Sequence, residues 1–154
     1  MRVFLQWDKA INLGPKAKFI KNLEARIPTL PSVPGIYVFA RRYKSTISPI
    51  YVGKASNLRG RVKTQSNNRR LMDAVRTEKN GDRVLLIGRI KTQPGQQLGK
   101  VLKIAEQTHI EQAMTAGSPL VNIQGTKTKR HEVSISGRKS HQHPFPRLMF
   151  LAIQ

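Results

Sequence analysis

The chain has 154 residues and a mass of 17.4 kDa, with 38% hydrophobic and 23% charged residues. That is one domain's worth of chain with enough apolar residues for a core, which excludes collagen-like, disordered and membrane-spanning classes. Against 28 Lys and Arg stand 8 Asp and Glu, a formal charge of +20. A polyanionic partner relieves such self-repulsion, and nucleic acid is the expected one.

No Cys is present, so disulfides, thiol catalysis and thiolate zinc sites are ruled out. Residues 1–7 are apolar over too short a stretch for a signal peptide, and no later run is long enough to span a membrane. No membrane partner and a cytoplasmic location are therefore expected. The charge is unevenly spread. Residues 1–53 carry nine bases and two acids, 54–91 eleven and three, and 125–154 six and one, whereas 92–124 carry two of each. A metal bound beside a polyanion is expected to draw its ligand from that neutral stretch.

In chain order, Val3 to Trp7 reads as a short strand. Pro15 opens a helix through Ile27, with Phe19, Ile20 and Leu23 on one face. Pro28, Pro31 and Pro34 make the next stretch a stiff connector. The β-rich runs Ile36 to Ala40 and Ile50 to Val52 flank a polar turn at 44–48, the pattern of a hairpin. Ser56 or Asn57 can cap a helix through about Gln65. A second helix is predicted from Arg69 to Lys79, with Leu71, Met72 and Val75 as its apolar face and Asn80-Gly81 as its stop. Val84 to Ile87 reads as a buried strand. After Pro94-Gly95 comes the strongest helix, Gln97 to Ala116, whose apolar stripe includes Val101, Leu102, Ala105 and His109. Residues 124–130 are a basic loop, and Glu132 to Ser136 and Arg147 to Ile153 look like two terminal strands.

Strands and helices mix without a regular βαβ alternation, so the expected class is α+β. The expected architecture is a small central antiparallel sheet of about three strands (the hairpin plus one) flanked by helices. Added strands lie at the N- and C-termini. One domain covers 1–154.

Two of the three tyrosines lie in the hairpin. Gly35-Ile36-Tyr37 is on its first strand and Tyr51-Val52-Gly53 on its second, followed by Lys54 and by Asn57-Leu58-Arg59-Gly60-Arg61 entering a helix. This arrangement resembles the GIY-YIG nuclease superfamily, and the segment from Tyr51 to Arg61 is most similar to the form found in bacterial excision-repair nucleases. The resemblance covers a core of 34–122, leaving a strand-helix extension at 1–33 and a basic extension at 123–154.

The resemblance implies a metal-dependent DNA endonuclease. It assigns Tyr51, with Tyr37 beside it, to the base role and Arg61 to the phosphate. Phosphodiester hydrolysis needs these parts: a base for water, cations on the phosphoryl oxygens and help for the leaving oxygen. A free tyrosine titrates near 10, and the surrounding positive charge is expected to lower that value. Lys54 is placed to assist or to share the proton relay. One helical turn after Arg61 the family usually carries His or Tyr, and this chain has Gln65, which holds water or phosphate by hydrogen bonds but does not titrate.

The family's long helix carries one Glu that binds a single divalent cation, Mg²⁺ or Mn²⁺, completed by waters and phosphate. Glu106 and Glu111 are the candidates; five residues apart, they point about 140° apart on a helix. Glu106 borders the apolar stripe and takes the family's ligand position. Asn122, after Pro119, matches the family's site-bracing Asn. His109 reads as a packed core residue, and His131, His141 and His143 as part of a solvated basic segment. Expected nucleic-acid contacts are Lys54, Arg59, Arg61, Lys63, Arg69, Arg70, Lys127, Lys129 and Arg130. The alternative to a nuclease is a DNA-binding module that keeps this fold with weakened or no catalysis, for which Gln65 argues. A third class, an unrelated basic RNA- or ribosome-associated protein, is disfavoured by the 6% aromatic content.

Overall fold

The computed structural model describes residues 1–118, Leu120 and Val121, and the backbones of two later strands. The chain divides into two compact units, Met1–Val121 and Asn122–Gln154. The second contains an antiparallel pair, β6 (Arg130–Ser134) and β7 (Leu148–Ala152), in which Glu132 lies opposite Phe150.

The first unit is α+β. Its elements are β1 (Phe4–Trp7), β2 (Ile11–Gly14), α1 (Phe19–Arg26) with a 3₁₀ turn at Ile27–Thr29, β3 (Gly35–Tyr43), β4 (Thr46–Ala55), α2 (Leu58–Ser66), α3 (Arg69–Thr77), β5 (Asp82–Lys91) and α4 (Leu98–Thr115). The sheet has five strands rather than about three. β3 lies between β4 and β5, and both β1 and β2 pair antiparallel with the far edge of β5. The two N-terminal strands share that edge end to end. β1 covers 88–91 and β2 covers 83–85, with Asp8 joining them through its N–H to the Ile87 carbonyl at 2.8 Å. Residues 1–14 thus behave as one interrupted strand, and its second half escaped the sequence because Asp8 and Lys9 break the apolar run.

The sheet is covered on both faces, which explains the near-continuous apolar character of β3. One face packs Tyr37, Phe39, Leu85 and Ile87 against Phe19 and Leu23 of α1, Leu58 and Val62 of α2, and Leu71, Met72 and Val75 of α3. The other packs Ile36, Val38, Ala40 and Val52 against Val101, Leu102 and Ala105 of α4. A fully buried side chain of this kind contributes roughly 1.5–3 kcal/mol. The hairpin runs longer than its apolar segments, reaching Tyr43 and restarting at Thr46. Only Lys44 and Ser45 form the turn, because charged residues at the tip continue the ladder into solvent.

The helix α3 is closed by an arginine from the next strand. Arg83 is completely buried, and its guanidinium donates to the carbonyls of Val75, Arg76, Glu78, Lys79 and Gly81 at 2.6–3.1 Å. These include the last carbonyls of the helix, which lack partners within it. None of the described helices is long and apolar enough to cross a membrane.

Candidate active site

The site forms where the edge strand β4 meets α2 and α4. Antiparallel register sets Tyr37 opposite Gly53 and Phe39 opposite Tyr51, which brings the two tyrosine rings to a 6.0 Å centroid separation. Gly53 is required by this geometry. A Cβ there would lie 2.4 Å from the Tyr37 hydroxyl, so the ring occupies the space that any side chain would need. Gly35 is confined in a similar way by β5, its Cβ position lying 2.0 Å from the Gly88 carbonyl oxygen. Both glycines of the paired triplets are close-approach positions rather than loose strand ends.

α2 presents Leu58, Val62 and Gln65 to the interior, the i, i+4, i+7 stripe of one helical face. Gln65 is therefore buried, and its amide donates to the Tyr37 hydroxyl at 2.9 Å and to the Tyr51 hydroxyl at 3.3 Å. The carbonyl end of Gln65 accepts from Asn68 Nδ2 at 3.2 Å. Asn68 also caps α3, its Oδ1 accepting from Leu71 N at 3.1 Å. The sequence reading missed Asn68, although its position just before the helix starting at Arg69 marked it as a cap.

Burial is the main influence on Tyr51, and it pushes the phenol above its ordinary value near 10. Tyr37, by charge and hydrogen bonding, and Glu106, by charge, push the same way; the Arg61 cation opposes them. The lowered tyrosine expected from the basic composition is thus overturned. Most of the cations project into water, and the phenol sits half-buried beside a second phenol. Arg61 and Glu106 are nonetheless each near enough to Tyr51 to act on it electrostatically.

Lys54 follows Val52 on the face of β4 that α4 covers, and its ammonium pairs with the Glu106 carboxylate. Glu106 is largely covered, whereas Glu111 is exposed on the same helix. The two sides of the edge strand therefore carry different chemistry, phenols on one and an ion pair on the other. An open cleft of about 490 Å³ lies on the ion-pair side, lined by Lys54, Asn57, Gly60, Arg61 and Thr64 with Gly99 of α4; neither tyrosine lines it. Asn57 rather than Ser56 caps α2, accepting from Gly60 N at 3.0 Å.

Of the expected nucleic-acid contacts, Lys54 and Arg61 meet at this cleft. Lys63, Arg69 and Arg70 are exposed on α2 and α3. Arg59 has a structural task as well, its Nε donating to the Leu30 carbonyl at 2.7 Å and tying α2 to the proline-rich connector. Asn122, Lys127 and Lys129, with Pro119, His141 and His143, lie outside the described residues, as do the side chains of Arg130 and His131. His109 uses Nδ1 on the Ala105 carbonyl at 2.7 Å and packs edge-on against Trp7 with ring centroids 5.5 Å apart, a packed residue of α4. Among the described residues no group of three His, Asp or Glu side chains gathers around one point. Comparison with protein-family models, curated proteins and solved structures finds no match to this chain.

Proposed function

We propose that the chain is a divalent-metal-dependent DNA endonuclease with a GIY-YIG type site, hydrolysing phosphodiester bonds at the edge of β4. The observation that carries this reading is that one stretch of edge strand holds buried Tyr37 and half-buried Tyr51, joined by one amide and acted on by Arg61, with the Lys54–Glu106 pair on its other side. Arg61 binds the phosphate. Tyr51 is the base: its Oη, once ionised, takes a proton from the attacking water, and the Arg61 cation together with donation from Gln65 Nε2 favours the ionised form. Tyr37 and Asn68 hold that arrangement through Gln65.

Glu106 suits a single Mg²⁺ or Mn²⁺. It offers one hard carboxylate, and its partner Lys54 lines an open cleft with room for the waters Mg²⁺ retains. Held by Glu106, such a cation would supply positive charge to the phosphoryl oxygens and would acidify bound water. With Glu106 holding a cation, Lys54 would be released from the carboxylate and its ammonium would face the phosphate or the leaving oxygen.

A second reading, a DNA-binding module without turnover, is favoured by the raised Tyr51 and by Gln65 in a position where a titrating group is usual. Supercoiled plasmid separates the two. The nuclease nicks it with Mg²⁺ or Mn²⁺ and stops in EDTA, while the binding module shifts the plasmid on a gel and leaves it intact. Nicking that survives in Tyr51→Phe at the wild-type rate removes the proposed base.

A further inference from the structure

Far from the cleft, the tip of the β3–β4 hairpin gathers cations around an exposed aromatic ring. Tyr43 is 49% exposed and Ile47 39%. Arg41 and Lys44 each place their charge 5.6 Å from the Tyr43 ring centroid. Arg41 is also braced by donating to the Asn80 carbonyl at 2.8 Å. Arg42 lies between them on the opposite strand face. Tyr43, Lys44 and Ile47 are exposed and Arg41 and Arg42 half-buried, and none of the five belongs to either core cluster.

The turn itself adds an independent observation. Lys44 adopts φ +56, the single positive φ found at a non-glycine among the described residues. Turns of this length place Gly or Asn at such a position, because a Cβ there is strained. A lysine at a position that favours glycine lies here beside an exposed tyrosine and two arginines, which adds its charge to theirs at the tip.

We propose that this hairpin tip is a second nucleic-acid contact, a two-stranded ribbon that enters the major groove of duplex DNA. The proposal rests on the DNA-directed reading above. A major groove admits a two-stranded β-ribbon. Arg41, Arg42 and Lys44 supply charge to the phosphates on the groove walls, and Tyr43 presents its ring to the bases and sugars between them. Alternation along β3 puts Tyr43 on the same sheet face as Tyr37. Six residues of strand separate the two, roughly 20 Å at the usual rise. That distance corresponds to about six base pairs of a duplex rising 3.4 Å per pair.

The test is fluorescence anisotropy of the whole chain on a labelled 30-base-pair duplex in EDTA, so that binding is read without cutting, with thermal melts alongside. Tyr43→Ala is expected to weaken binding about fivefold or more, the scale of losing one contact to a base edge in the groove. Lys44→Gly is expected to weaken binding and lower the salt slope by about one, while leaving the melting temperature unchanged or raised. Lys21→Ala, which removes a charge from exposed α1, is the control and should do less. Wild-type affinity in Tyr43→Ala overturns the proposal, as does equal weakening by Lys44→Gly and Lys21→Ala. Equal loss by the tip variants on duplex RNA, whose major groove is too narrow for a ribbon, also overturns it. If the tip variants lose affinity but the wild type never nicks plasmid, the nuclease reading fails and the hairpin contact stands. If the wild type nicks and the tip variants bind normally, the reverse holds.

Discussion

A phenol that is to act as a base must lose its proton, and burial, Tyr37 and Glu106 all resist that loss at Tyr51. At neutral pH the group is almost wholly protonated, so the ionised fraction grows about tenfold for each unit of pH. Mg²⁺-dependent nicking should therefore climb from pH 7 to about pH 9.5 without a plateau, and Tyr51→Phe should flatten the profile and lower the rate about 10²-fold or more. The same displacement affects stability. Folding raises this group's pKa above its unfolded value, so its stabilising contribution is complete below about pH 10 and is lost as pH rises towards the folded value. Melting temperatures measured above pH 10 should fall less steeply in Tyr51→Phe than in the wild type. Gln65 is the other decisive residue. Gln65→Met keeps length and apolar volume but removes the donor shared by both hydroxyls. It should cost about 1–2 kcal/mol in denaturant unfolding and lower nicking at least tenfold, because the two rings are no longer held in register.

Joined elements, rather than single side chains, set the metal question. β4 supplies Lys54 and α4 supplies Glu106, and the partly exposed pair contributes at most about 1 kcal/mol. Glu106→Gln should leave the melting temperature and DNA affinity close to wild type while abolishing Mg²⁺-dependent nicking. Glu111→Gln, on the exposed side of the same helix, should change neither. At this scale much was legible from sequence. α2, α3 and α4 were expected within about two residues of their ends, because caps such as Asn57 and the Leu71, Met72 and Val75 stripe are local signals. β2 was not legible, since four residues with one buried leucine carry no alternation and form a strand only because β5 offers an edge. The tyrosine pair was visible as two triplets, and Glu106 as a carboxylate bordering the apolar stripe of its helix. The ion pair with Lys54, the donation from Asn68 and the direction of the Tyr51 shift depend on side-chain packing between elements far apart in sequence, which spacing does not encode.

Over the whole chain the formal charge is +20, which predicts that DNA binding weakens with salt. Six phosphate contacts would give roughly a 10³-fold loss of affinity between 50 and 200 mM salt, measurable as the slope of log affinity against log salt; a flat response would remove the electrostatic account of binding. One of those charges cannot reach any partner. Arg83 is enclosed, its donors taken by five backbone carbonyls. Lysine has three donors and no planar fork, so Arg83→Lys leaves carbonyls unsatisfied and should destabilise by about 2–3 kcal/mol without altering the salt slope. The enclosed guanidinium also sets how the chain can breathe. Fraying of α3 from its C-terminal end would have to strip a buried cation of its partners, so that end does not open on its own. Amide hydrogens around residues 75–83 should exchange at rates close to those of the central strand β3, opening only when the whole unit unfolds.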